Sequence, residues 1–219
     1  MDVVQQHHLD HATGHRRDAA VLFADLSGFS RLVETVEPEI VYQVVQPLMD
    51  DLVDIARHHG GEIQQIMGDG FMCVFGLHAT QGDEAERAVA AGLELVASGG
   101  ARLGLPSVHA GVETGEIYVT GSWPPAGYGV WGRPVNLASR LCDLAGPGEL
   151  QIGPHAFAQV RRLFGPVRAA RTRLKGVTTP VLTRRISPQH LPQQAKAERS
   201  SGAPSRECCQ RGHEMIDAA

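Results

Sequence analysis

The chain has 219 residues, with 24 Asp and Glu against 20 Lys and Arg, a formal net charge of −4 and four cysteines. That length suits one sizeable core with flanking segments and excludes two large domains; the charge gives no basic field for nucleic acid or a membrane surface. No apolar run nears the roughly 18 residues of a membrane span, and the opening Met1-Asp2-Val3-Val4-Gln5-Gln6 lacks the basic and apolar blocks of a signal peptide.

Cys73, Cys142, Cys208 and Cys209 show no ligand or disulfide spacing. Cys73 lies in an apolar run and Cys142 in a helical one, so both read as buried free thiols in a reducing, cytoplasmic compartment.

Residues 1–17 read as a polar, histidine-rich leader. His7, His11 and His15 would share a helical stripe, but nothing nearby completes a metal site, and a loosely ordered segment is the plainer reading. An apolar strand then climbs through Ala20-Val21-Leu22-Phe23-Ala24 to a single carboxylate, Asp25. A buried strand end carrying a lone Asp costs free energy unless the acid is paired or binds metal. The small-residue turn Leu26-Ser27-Gly28-Phe29-Ser30 follows and leads into a helix, where free backbone N–H groups suit a phosphate.

From about Pro38 to His59 the apolar residues Val41, Val44, Val45, Leu48, Leu52 and Ile55 recur near a 3.6 period, and Gly60-Gly61 ends the helix. Two strand-forming runs, Glu62–Met67 and Phe71–Phe75, flank Gly68-Asp69-Gly70, a hairpin signal. Glu84 to Val96 predicts a second amphipathic helix, with Ala88, Ala91, Leu93 and Val96 inward. Val108 to Val119 predicts a strand with a bend near Thr114-Gly115.

This order is the β-α-β-β-α-β ferredoxin-like unit. In it the hairpin's second strand lies antiparallel beside the first strand, so Asp25 and Asp69 are expected to meet across neighbouring strands. Further on the pattern predicts a short strand at Tyr128–Trp131, a helix over Pro134–Ala145 with Leu137, Leu141 and Leu144 inward, and a strand at Glu149–Ile152. A helix over Pro154–Leu163 and a hairpin between Val167 and Arg185 around Gly176 complete it. The fold class is therefore α+β, a ferredoxin-like βαββαβ core with a C-terminal α/β extension. The Gln-, Pro- and Ser-rich stretch 187–219 reads as a disordered tail or linker.

Taken singly, the chemical residues have ordinary readings. Asp25 could cap a helix and Asp69 could be a turn residue. Asn136 and Arg140, four apart on one helical face, could simply be solvated, and so could Lys175 beside Arg161, Arg162, Arg168, Arg171 and Arg173. As a set they point elsewhere. Adjacent carboxylates bind Mg²⁺ together with substrate phosphates, a carboxamide beside a guanidinium holds ribose and phosphoryl oxygens, and a lysine at a hairpin tip reaches a phosphate tail.

Four stretches carry a resemblance: Phe23–Ser30, Gly68–Gly76, Trp131–Leu141 and Leu174–Val177. Over about residues 18–186 the chain resembles the class III nucleotidyl cyclase catalytic domain. The resemblance implies a head-to-tail homodimer with its sites at the interface. It implies metal binding by Asp25 and Asp69 with the carbonyl of Leu26, taking two Mg²⁺ or Mn²⁺ ions per site. It assigns ribose and transition-state contacts to Asn136 and Arg140 of the partner subunit, and phosphate contacts to Ser27, Gly28, Phe29, Ser30 and Lys175. The implied reaction is attack of the ribose 3′-oxygen on the α-phosphorus with loss of pyrophosphate.

The family's base-reading positions fall on Gln65 and Gly129, where a lysine and an aspartate are usual. Gln65 both donates and accepts, and Gly129 offers no side chain. ATP is expected ahead of GTP because it is the commoner family substrate. A nucleotide-binding or regulatory domain with little turnover is the alternative. A diguanylate cyclase or polymerase palm shares the core but lacks the Asn136/Arg140 helix. His109 stands where family members often carry arginine.

Overall fold

The computed structural model describes residues 14–99, 106–123 and 127–187. Strand β1 (Gly14–Leu26) is followed by the short helix α1 (Phe29–Thr35) and the long helix α2 (Pro38–His58). The hairpin β2 (Glu62–Ile66) and β3 (Gly70–Phe75), helix α3 (Glu84–Gly99) and strand β4 (Val108–Trp123) complete the predicted core. The extension comprises β5 (Gly127–Trp131), α4 (Arg133–Leu144), β6 (Leu150–Ile152), α5 (Pro154–Val160), a 3₁₀ turn at Arg161–Leu163, β7 (Ala169–Thr172) and β8 (Val181–Ile186).

The sheet runs β2-β3-β1-β4-β6-β8-β7, with β5 paired to β4. Its first four strands have the ferredoxin-like arrangement expected from the element order. The axis is the antiparallel pair β1–β4, continuous from Gly14 opposite Thr120 to Leu26 opposite Val108. Because β4 is long, it pairs with polar residues too: Gly14–Arg17, read from sequence as leader, belong to β1. His15 is therefore in a strand rather than a helical stripe, while His7 and His11 lie outside the described residues. Of the tail read over 187–219, all but Ser187 also lies outside them.

Side-chain alternation divides the sheet into two faces. Ala20, Leu22, Ala24 and Leu26 of β1 pack with Phe71, Cys73 and Phe75 of β3, Val108, Ala110 and Val112 of β4 and the buried sides of α2 and α3 in one large core. Each Leu, Val or Phe fully withdrawn from water there contributes about 1.5–3 kcal/mol. The opposite residues, Ala19, Val21, Met72, Val74, Ile117 and Val119, form a smaller cluster closed by Val130 and Ala138.

Two periodic positions are not core. Val44 of α2 is 37% exposed and Leu144 of α4 is 38% exposed. Both lie at the margin of an apolar stripe wider than the surface that covers it. Cys73 and Cys142 are buried free thiols, as expected. Among the described residues no helix is long and apolar enough to cross a membrane.

Candidate active site

Asp25 lies near the end of β1, on the face with the smaller cluster. Its strand partner in β3 is Gly70, one residue past Asp69. This pairing brings the acids together: the Leu26 N–H donates to the Asp69 carbonyl at 3.1 Å. The negative charge of Asp69 acts on Asp25 and disfavours its ionised form. A Cβ on Gly70 would stand 2.6 Å from Asp25 Oδ1 and 2.7 Å from the Ala24 carbonyl oxygen. Only glycine leaves the seat that the Asp25 carboxylate fills.

Burial, then the charge of Asp69, pushes the Asp25 carboxyl up from 3.8 to about 6. A carboxylate pair so placed gains from a cation between its members. Among the described residues no group of three or more His, Cys, Asp or Glu could hold a metal by itself. Two carboxylates and a carbonyl nevertheless fit Mg²⁺, which keeps several waters and shares its shell with substrate phosphates.

Two further residues converge here that the sequence did not single out as chemical. His109, the β4 partner of Asp25, places Nδ1 2.9 Å from Ser27 Oγ and Nε2 3.6 Å from Asp25 Oδ2. It thus ties the turn after β1 to the acid. Burial pulls its pKa below the ordinary histidine value. Asp143, on the last turn of α4, accepts from Arg140 Nη1 at 2.8 Å, and its charge also raises Asp25. The strand register would have flagged His109, and the i,i+3 spacing from Arg140 would have flagged Asp143.

Asn136 and Arg140 sit on α4, which packs on β1 and β4. Asn136 is exposed and Arg140 half-buried; Arg140 Nε is buried with no hydrogen-bond partner. The helix can lie this close because Gly111 of β4 has no side chain: a Cβ there would meet the Cys142 nitrogen at 2.2 Å. Lys175 is exposed in the turn between β7 and β8, closed by the Val177 N–H donating to the Leu174 carbonyl at 3.1 Å.

Within the turn after β1, the Ser27 N–H donates to the Ser107 carbonyl at 2.7 Å. Gly28 precedes α1, and no side chain caps that helix. Phe29 packs against the large core, and Ser30 is exposed. Gln65 is exposed on β2 beside a bulge, and Gly129 is buried on β5, a strand that also lies against β2.

A second acid lies away from this cluster. Glu113 is 1% exposed; its Oε1 accepts from the Thr114 and Ala156 N–H groups, both at 2.8 Å. Oε2 has no hydrogen-bond partner, and His155 Nδ1 stands 3.5 Å from it. Burial raises this carboxyl against the lowering effect of the two N–H donors. Glu113 and His155 border a cleft of about 530 Å³ at the start of α4.

Comparison with known proteins identifies the family and the fold. Residues 12–183 match the model of the adenylate and guanylate cyclase catalytic domain. Uncharacterized protein Rv2212 of Mycobacterium tuberculosis is 29% identical over 201 residues, covering 83% of this chain and 47% of its own length. The chain thus spans about half the length of the curated relatives it matches. Among solved structures, the adenylyl cyclase CyaB from P. aeruginosa superposes with a TM-score of 0.72 at 26% identity, over 82% of this chain and 99% of that one. The guanylyl cyclase Cya2 superposes with a TM-score of 0.70 at 31% identity, over 81% and 98%.

Proposed function

Because the chain belongs to the adenylate and guanylate cyclase catalytic domain family, we propose that it converts a purine nucleoside triphosphate, ATP or GTP, to the 3′,5′-cyclic nucleotide and pyrophosphate. The observation that carries this reading is the meeting of Asp25 and Asp69 over the empty side-chain position of Gly70.

Asp25, Asp69 and the Leu26 carbonyl would hold Mg²⁺ or Mn²⁺, two ions per site. When bound, such ions lower the pKa of an attacking oxygen and neutralise a leaving one. The chain's own groups do the rest. The backbone of Leu26–Ser30 and the Lys175 ammonium hold the phosphate tail. Asn136 orients the ribose, and Arg140 faces the charge that grows on the α-phosphoryl oxygens. His109 is a positioning residue: it holds the Ser27 hydroxyl and abuts Asp25.

Asn136 and Arg140 act on the Asp25/Asp69 pair of a second copy, so that a twofold dimer carries two equivalent sites.

Purified protein incubated with ATP or GTP and Mg²⁺ or Mn²⁺ should release cyclic nucleotide, and Asp25→Ala or Asp69→Ala should abolish it. Nucleotide binding without product would favour a regulatory domain instead. Mixing Asp25→Ala with Arg140→Ala protein should restore part of the activity through one intact interfacial site. Subunit exchange without rescue would refute the shared site.

A further inference from the structure

The basic run around Lys175 is larger than the one lysine that the proposed reaction uses. Residues 150–187 hold eight of the chain's 20 Lys and Arg and none of its 24 Asp and Glu. The rest of the chain therefore carries twice as many acids as bases, and the net charge of −4 hides two regions of opposite sign.

Part of the basic charge is used within the fold. Arg162 pairs with Glu86, Arg185 Nη1 stands 2.6 Å from Glu149 Oε1, and the Arg184 guanidinium lies 4.0 Å over the Phe157 ring. Arg168, Arg171 and Arg173 are different. All three are exposed, and among the described residues no acid pairs with them.

These arginines lie on or beside β7, the last strand of the sheet. Strand β7 pairs with β8 from Ala169 opposite Arg184 to Thr172 opposite Val181. Among the described residues no strand covers its other edge, which leaves a row of backbone N–H and C=O groups without ladder partners. Thr172 turns inward to bond Thr183 Oγ1 at 3.1 Å, and Leu174 is buried. Alternation therefore sends Arg171 and Arg173 together to the outer face. On the inner face Arg168 borders a groove of about 570 Å³ with Ala170, Thr172 and Thr183.

Charge of either sign on an edge strand discourages self-pairing. A single sign over the whole segment does more: it repels a second copy of the same edge and attracts a strand that carries acid. Main-chain bonds to an open edge supply affinity, and side chains at alternate positions supply selectivity. We propose that β7 is a docking edge for an acidic peptide segment of a partner protein, laid down as a further strand. Carboxylates at alternate positions of that strand repeat the two-residue spacing of Arg171 and Arg173 and form cross-strand ion pairs with them. The residues between face the groove beside Ala170, where small uncharged side chains fit. This docking needs no cyclase activity and does not use Lys175.

The test is fluorescence anisotropy of the 219-residue chain with a labelled peptide of alternating Glu and Thr, about eight residues long. The peptide should bind, and R171E/R173E should weaken it by at least about tenfold. Its fully N-methylated form keeps every carboxylate, loses every backbone donor, and should also bind at least about tenfold more weakly. Bound peptide should slow amide exchange over residues 169–173 by at least about fivefold, a readout that holds even if the double variant misfolds. Failure of the peptide to bind, binding without protection of β7, or equal affinity of the N-methylated form would overturn the proposal. Equal binding of an oligothymidylate of the same length would assign the run to polyanions in general and overturn it as well. Displacement of the peptide by GTP or ATP would assign these arginines to the phosphate site around Lys175, with the same result.

Discussion

The two faces of the sheet are built for different work. One carries α2, α3 and α5 over a continuous apolar core in which Leu22, Phe71 and Phe75 are fully buried. The other carries two smaller apolar clusters around α4, with Asp25 at one end of that helix and the buried Glu113 near the other. Charges that burial penalises are thus kept off the face that supplies most of the folding free energy. The lesson is a division between stability and chemistry within single strands: Ala24 and Leu26 pack one way, and Asp25 between them points the other.

Substitutions on the two faces should therefore separate activity from stability. The largest effect expected is on Asp25. Asp25→Asn should lower turnover by more than about a thousandfold and yet raise the melting temperature at pH 8 without metal. The sign follows from the carboxyl being raised to about 6 in the folded chain. The folded state holds its proton longer than the unfolded state does, so stability falls as pH rises from about 4 through 6. Melting curves at pH 4 and pH 8 check it, since the advantage of the variant should vanish at pH 4. Equal melting temperatures at pH 8 would mean that neither burial nor the charge of Asp69 destabilises the ionised carboxyl.

Arg140→Ala should cost about 10²–10³ in kcat, the usual loss on removing one donor to a developing oxyanion, with the melting temperature little changed. On the other face the pattern should invert. Phe71→Ala should cost about 3–5 kcal/mol in urea unfolding, with kcat per folded molecule retained.

Glu113 tests the boundary between the faces. Glu113→Ala strands the N–H groups of Thr114 and Ala156 and should cost about 2–4 kcal/mol. Glu113→Gln keeps an acceptor for both and should stay within about 1 kcal/mol. Similar losses in the two variants would show that the charge, rather than the acceptor, matters there.

Much of this division is legible from the residues alone. The strand–helix–hairpin order is enough to bring Asp25 and Asp69 together, because a hairpin's second strand returns beside the first. The helices are legible because their apolar period is strong, although periodicity marks Val44 and Leu144 as inward without revealing where the covering surface ends. Long-range register is what the sequence hides. The pairing of Asp25 with His109 and of Gly14–Arg17 with the far half of β4 depends on strands distant along the chain. Glu113 is hidden for a related reason. Alternation of Val108, Ala110 and Val112 implies that the intervening positions meet water, and only the docking of α4 shows that they do not.

The clearance at Gly70 has a consequence for genetics. A single methyl group added at that position would evict an acid on the neighbouring strand, although the residue has no reactive atom of its own. Loss-of-function screens should therefore score this position as severely as the acids themselves, through shape and not through any functional group.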